Sequence, residues 1–385
     1  MVEPPGAKSR EVDSGVGSIE KEKAMHRRSF AVGALALTLV SSMGISTLMS
    51  VPASAQDEVV IGYSAPGLVG AQLEIQQGLV TSGEGKGWEV ITTTSGGDPQ
   101  KQLDDINNFI AQQVDAIVAV PDDSAGICTA VKAAEEAGIP FYTIDRSPQG
   151  CAINMTVLSD NYLAGKQSAE AIVAYLEEMN GGEAKGKVLE VTGNLGQNVA
   201  QLRGAGFNDV MKEYPGITVI TKTGDWDAAK GVDIVRDVVS TEGDVNAIYH
   251  HSDSVYVPGT LQVLEELGAL KARGEDGHIF IAGVDGSPAA LQGIRDGFVD
   301  QSSNQPIPDF GIIVDWIEKE LNGETLVEGE VISEGALWSP ARIEMSDVGP
   351  QLFLATTSVG PDNVDDERLW ANVAAGREAE ATPAS

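Results

Sequence analysis

At several places the chain sets a carboxylate beside a hydrogen-bonding or aromatic neighbour just after a β-branched run. These are Asp145-Arg146, Trp226-Asp227, Ser252-Asp253 (behind His250-His251) and Asp285-Gly286. Gln72 follows the first such run, and the polar stretch 301–305 ends on Gln305. Carboxylates accept hydrogen bonds, guanidinium groups donate them as a planar fork, and amides do both, so the set suits the hydroxyls of a polyhydroxylated solute. An aromatic ring such as Trp226 can cover the apolar C–H side of a sugar. The same residues admit plainer readings. A single Asp at a strand end can simply cap the helix that follows, and a pair drawn from Asp145, Asp253 and Asp285 could act as the acid and base of a glycosidase. Against an enzyme, no nucleophile–base arrangement is recognisable.

Two further motifs read as coincidence. Gly181 to Gly186-Lys187 has the spacing of a phosphate loop, but Val188 follows it and it precedes a strand. Gly193-Asn194-Leu195-Gly196 is too short for a dinucleotide fingerprint and reads as a loop at the cleft. Adjacent His250 and His251 face opposite sides of a strand, which argues against a metal pair and leaves one of them to line the site. No cofactor and no metal are expected.

Positioning such groups requires a repeated strand–helix alternation. Strands are expected at 59–63, 88–93, 115–120 and 141–145, with helices at 71–80, 98–112 and 126–137 between them. In 98–112, Leu103, Ile106, Phe109 and Ile110 share one helical face. The run 115–120 is nearly all apolar, as in a strand buried on both faces. After Ser159-Asp160-Asn161 the pattern restarts, with helices at 162–180, 199–214, 228–240, 256–267, 288–296 and 307–321. Its strands fall at 187–192, 218–222, 247–250 and 279–284. This predicts an α/β fold of two doubly wound, Rossmann-like units, with ligands outside the carboxyl ends of the strands. A length of 385 residues also favours two lobes over one core.

The formal net charge of −32, from 57 acidic and 25 basic residues, argues against nucleic acid, which needs clustered Lys and Arg. It reads as a solvated acidic surface. Met25-His26-Arg27-Arg28-Ser29-Phe30, an apolar stretch and Pro52-Ala53-Ser54-Ala55 form an export signal of twin-arginine type in residues 1–55, placing the mature protein in the periplasm. Met25 is an alternative start. In that oxidising compartment Cys128 and Cys151 are either a disulfide or two separate buried thiols. Past Asn372, the Ala- and Glu-rich tail 373–385 reads as disordered.

Taken together, Ile139-Pro140-Phe141-Tyr142-Thr143-Ile144-Asp145-Arg146, Ser159-Asp160-Asn161, Arg203-Gly204-Ala205-Gly206-Phe207, Gly283-Val284-Asp285-Gly286 and Asp362-Asn363-Val364-Asp365 resemble the ribose-type periplasmic sugar-binding proteins, in order and in spacing. Their fold is shared with effector domains of lac-repressor-like regulators, but an export signal stands where a DNA-binding segment would be. The resemblance implies the periplasmic binding protein-like I fold: one lobe from 57–160 and 306–328, another from 161–305 and 329–357, and a three-stranded hinge. It implies a monomer that closes on a sugar or polyol and is presented to an ABC permease in the inner membrane. A receptor-coupled sensor of a small polar non-sugar ligand uses the same fold. By position, Asp145, Arg146 and Asp285 are implied to bind ligand hydroxyls, with Gln305 at a hinge and Trp226 against the sugar. Ser252 stands where an Asn is common, followed by the matching Asp253. Two departures follow: Ala71-Gln72 replaces a paired aromatic motif, and Gln201 replaces the usual second-lobe Arg.

Overall fold

The structure is a computed structural model describing residues 59–68 and 70–381. The expected export signal at 1–55 lies outside the described residues, as does the tail end 382–385. The first half runs β1 (Val60–Ala65), α1 (Ala71–Gly85), β2 (Glu89–Thr94), α2 (Pro99–Gln112), β3 (Ala116–Ala119), α3 (Cys128–Ala137), β4 (Phe141–Ile144) and β5 (Met155–Ser159). The second runs α4 (Asn161–Met179), β6 (Gly186–Thr192), α5 (Asn198–Met211), β7 (Ile217–Thr223), α6 (Ala228–Glu242), β8 (Val245–His250), α7 (Asp253–Glu266), β9 (Phe280–Asp285), α8 (Pro288–Asp296) and β10 (Gln301–Asn304). A 3-10 turn (Pro308–Ile312) and α9 (Ile313–Leu321) follow, then β11 (Gly329–Val331), β12 (Ala341–Ser346), β13 (Gly349–Leu354), β14 (Thr357–Val359) and α10 (Trp370–Ala381).

Each half builds a parallel sheet of the same order: β2-β1-β3-β4-β5 in the first and β7-β6-β8-β9-β10 in the second. This is the doubly wound order in which chain direction reverses beside the first strand. Central strands are apolar and wholly buried, as in Ala116–Ala119, because helices cover both faces. The edge strands β2 and β7 keep exposed positions and Thr or Lys side chains, which suits a solvated edge. Three helix starts that face strand ends or crossings follow ordinary capping chemistry. Asp98 caps α2 through Gln100 N at 2.9 Å, Asp160 caps α4 through Leu163 N at 3.0 Å, and Asp227 caps α6 through Lys230 N at 3.0 Å. For Asp227 the capping reading holds.

The chain passes between the sheets at 159–161, 304–308 and 354–357. The segment 329–357, expected in the second lobe, divides otherwise. β11, β12 and β13 extend the first sheet, with β13 parallel to β5, and only β14 joins the second, antiparallel to β10. The hairpin buries Ile343, Leu352 and Leu354 and covers the otherwise open β5 edge. The expected disordered tail is also corrected, since α10 runs to Ala381, anchored by buried Leu369, Trp370 and Ala371.

Cys128 and Cys151 are joined by a disulfide that ties the loop after β4 to the start of α3. Closing a segment with a sequence separation of 23 should restrict the unfolded chain. Replacing both cysteines by serine is therefore expected to lower the unfolding free energy by about 3 kcal/mol, read from a lower urea midpoint together with an m-value that rises as the released unfolded chain exposes more surface. A midpoint that does not move would assign the loop's order to its other contacts.

Candidate functional site

The carboxyl ends of the two sheets face each other across a cavity of about 830 Å³, a size typical of small-molecule sites. The rims meet. Gln197 Nε2 donates to the Asp122 carbonyl at 2.8 Å, Ser147 N to Asn198 Oδ1 at 3.0 Å, and Gln149 Nε2 to Gln201 Oε1 at 2.8 Å. The cleft is therefore in its closed arrangement.

Four lining residues have positive φ without being glycine: Asp145 (64°), Asp225 (55°), Trp226 (60°) and Asp285 (128°). Each such conformation costs on the order of 1–3 kcal/mol unless its surroundings enforce it. The only other non-glycine case among the described residues is Gln113, an ordinary left-handed helix cap. Backbone strain is thus concentrated where the strands open into the cleft.

From the first lobe come Gln72, Asp145 and Arg146. Gln72 Nε2 donates to Asp145 Oδ2 at 3.0 Å, and Arg146 Nη1 donates to the Pro121 carbonyl at 3.0 Å. Arg146 Nε lies 3.6 Å from Asp145 Oδ2, and both side chains are largely buried. Gln72 Oε1 and Arg146 Nε are buried without a protein partner. An acceptor and a donor with unused hydrogen-bonding capacity therefore lie in the same wall, the donor in ion-pair range of Asp145.

The second lobe offers Ser252, Asp285, Arg203 and Trp226, with Gln305 at the crossing. Ser252 Oγ donates to Asp285 Oδ2 at 2.6 Å while also accepting from Val255 N at 3.3 Å to cap α7. Gln305 Nε2 and Arg203 Nη1 reach Asp285 Oδ1 at 3.3 and 3.4 Å. Arg203 is fixed by Nε to Asn161 Oδ1 at 2.8 Å and by Nη1 to the His251 carbonyl. Burial, opposed by Arg203 and reinforced by the Asp253 carboxylate, pushes the Asp285 carboxyl up to about 7. The Trp226 indole donates from Nε1 to Gln197 Oε1 at 2.5 Å, and its ring lies so close over Gly193 that a Cβ there would fall 1.9 Å from it. Gly193 is thus the seat of the aromatic wall.

Three expectations are corrected. Gln201 does not line the cavity; it is exposed on the rim, its Nε2 donating to the Leu195 carbonyl at 2.8 Å. The second-lobe guanidinium is Arg203, which shares the buried face of α5 with Val199 and Phe207 at four-residue spacing, whereas Gln201 points away. Asp253 is fully buried behind the wall, accepting from Gly286 N at 3.1 Å, Ser287 N at 3.0 Å and the Ser302 hydroxyl. It shapes the turn after Asp285. Neither histidine lines the cleft: His251 Nε2 pairs with Glu190 Oε1 at 3.0 Å and His250 Nε2 with Thr260 Oγ1 at 3.0 Å, both fully buried. Sequence reasoning missed Arg203, Gln197 and Asp225. The four-residue periodicity of α5 was the available signal for Arg203.

Comparison with known proteins agrees with this geometry. The family model described as periplasmic binding protein domain matches residues 61–325. The chain is 31% identical to the ribose import binding protein of Bacillus subtilis over 225 residues, 58% of this chain and 68% of the relative. It is 25% identical to the xylitol-binding protein of Mycolicibacterium smegmatis over 338 residues, 87% of this chain and 86% of the relative. Among solved structures, a galactofuranose binding protein superposes with a TM-score of 0.69 at 25% identity, covering 83% of this chain and 99% of the other.

The raised Asp285 carboxyl has a measurable consequence. The folded chain keeps this proton to higher pH than the unfolded chain, so the group's stabilising share is full below the ordinary carboxylate range and is lost as pH rises toward about 7. Asp285→Asn stays neutral throughout. Its melting temperature without ligand is expected to gain on wild type between about pH 4 and about pH 7 and then hold a constant lead. A difference that does not vary with pH would assign the slope to other carboxylates.

Proposed function

The chain belongs to the periplasmic binding protein family, and on that premise we propose that it captures a sugar or polyol and delivers it to an ABC permease in the inner membrane. Proteins of this family bind solutes without turning them over, so the cleft carboxylates are hydrogen-bond acceptors and not the acid and base of a glycosidase.

The observation that carries the proposal is the opposed pairing of charged groups. Asp145 and Arg146 face the cleft from one lobe, Asp285 and Arg203 from the other, and Gln72 Oε1 and Arg146 Nε add an acceptor and a donor without a hydrogen-bond partner. A ligand rich in hydroxyls can both give and accept a hydrogen bond at each position, which satisfies this wall at low charge. The aromatic complement is one-sided. Trp226 lines the second lobe, while Gly67, Gly70 and Ala71 stand opposite. That asymmetry supports a polyol or a furanose as readily as a pyranose held between two rings. The names of the relatives, which bind ribose, xylitol and galactofuranose, point to the same class. The Arg27-Arg28-Ser29-Phe30 pattern supports delivery to the periplasm by the twin-arginine route.

The test is calorimetric titration of the mature chain, residues 56–385, with D-ribose, xylitol and myo-inositol, and with amino acids as controls. Binding by a carbohydrate or polyol is expected, and Asp145→Ala and Asp285→Ala should each weaken it by about 1–3 kcal/mol. Binding of an amino acid alone would overturn the substrate class. Full affinity in both variants would remove these carboxylates from the site.

A further inference from the structure

The carbonyl oxygen of Asp285 is a junction. It accepts from Gln305 N at 3.1 Å, where the chain leaves β10 to cross between lobes. It also accepts from the Trp370 indole Nε1 at 2.7 Å. Trp370 opens α10 and lies beyond residues 61–325, the part matched by the family model. The indole is buried, and the segment that carries it is clamped to the second lobe. Arg295 Nε donates to Asp365 Oδ1 at 2.8 Å, and its Nη2 reaches the Val364 carbonyl at 3.1 Å and Asn372 Oδ1 at 2.8 Å.

Asp285 needs such support. With φ at 128° its backbone is held where residues other than glycine rarely stay, and its side chain must meet Ser252 and Gln305 at once. A strained residue persists only when its surroundings over-determine it. Two donors on one carbonyl, from the hinge and from the C-terminal segment, do this directly.

We propose that the C-terminal segment is a working part of the binding site, with Trp370 the positioning residue that sets Asp285 and couples it to the Gln305 hinge. Trp370 touches no ligand; it acts through Asp285. For its ligand-binding half the proposal rests on the solute-binding reading above, whereas its effect on Asp285 can be read without any ligand.

The test compares wild type with Trp370→Phe, which keeps an aromatic ring but loses the N–H and part of the indole's bulk, in the mature chain. Carboxyl-carbon NMR titration, with Asp285 assigned by its loss in Asp285→Asn, reads the first arm. Freed from its fixed carbonyl, the Asp285 carboxyl should meet more water, and its midpoint should fall by about half a unit or more. In the second arm, affinity for whichever of D-ribose and xylitol binds wild type should drop about tenfold. Arg295→Ala, which loosens the clamp without touching the cleft, should reproduce both effects, and it decides the matter if Trp370→Phe does not fold. An unmoved Asp285 midpoint in the folded variants overturns the proposal, whatever happens to affinity. If neither sugar binds wild type, the choice of substrate fails, and the titration still decides the role of Trp370.

Discussion

A carboxyl group taken out of water and set beside another carboxyl group is an expensive object, and Asp285 is that object here. Removing an ion from water costs several kcal/mol after relaxation, so neighbours must recover the loss through hydrogen bonds. Ser252, Gln305 and Arg203 gather on its oxygens, while Asp253 is itself satisfied by two backbone N–H groups and the Ser302 hydroxyl. Ser252, Gln305 and Arg203 come from three different stretches of chain. The position of Asp285 therefore depends on the folding of the whole second lobe and on the crossing at 304–308. A site built this way is stiff before ligand arrives, which lowers the ordering cost of binding.

The two lobes solve one problem with different means. Both use the same strand order, so both direct their loops into the same cleft. The first lobe obtains its charged pair from adjacent residues, Asp145 and Arg146, at the end of β4. The second takes its carboxylate from β9 and its guanidinium from α5, held by Asn161 and the His251 carbonyl. Behind Arg203, the buried Glu190–His251 contact supports the strand that supplies that carbonyl. Burial lowers the tendency of His251 to take up a proton, against the pull of Glu190.

This difference explains what could be read from the sequence. Parallel strands and amphipathic helices announce themselves through periodicity, so the alternation, the doubly wound class and the strand-end residues Asp145, Arg146, Trp226 and Asp285 were legible. Contacts that depend on which face of a helix turns inward were harder. Gln201 lies only two residues from Arg203 but on the opposite side of α5. Asp253, although it follows a strand, falls in the first turn of α7 and turns away from the cavity. The strands β11 to β13 escaped notice because they are partly exposed, with polar residues such as Glu330, Arg342 and Glu344 facing outward. Their hydrogen bonding to β5 is a long-range event with no local signature. In the same way the Ala- and Glu-rich composition after Asn372 masked a helix anchored by Leu369, just before it, and by Trp370, its first residue.

The disulfide between Cys128 and Cys151 bears on how the closed lobes part. The loop it ties down carries Ser147 and Gln149, two of the residues that bridge to Asn198 and Gln201 across the rim. An untethered loop could peel away one contact at a time and let solute escape through a local gap. A stapled loop cannot fray in that manner, so its bridges must break together as one lobe swings from the other. The staple thus favours opening by one rigid-body rotation, a hinge rather than a leak at the lip.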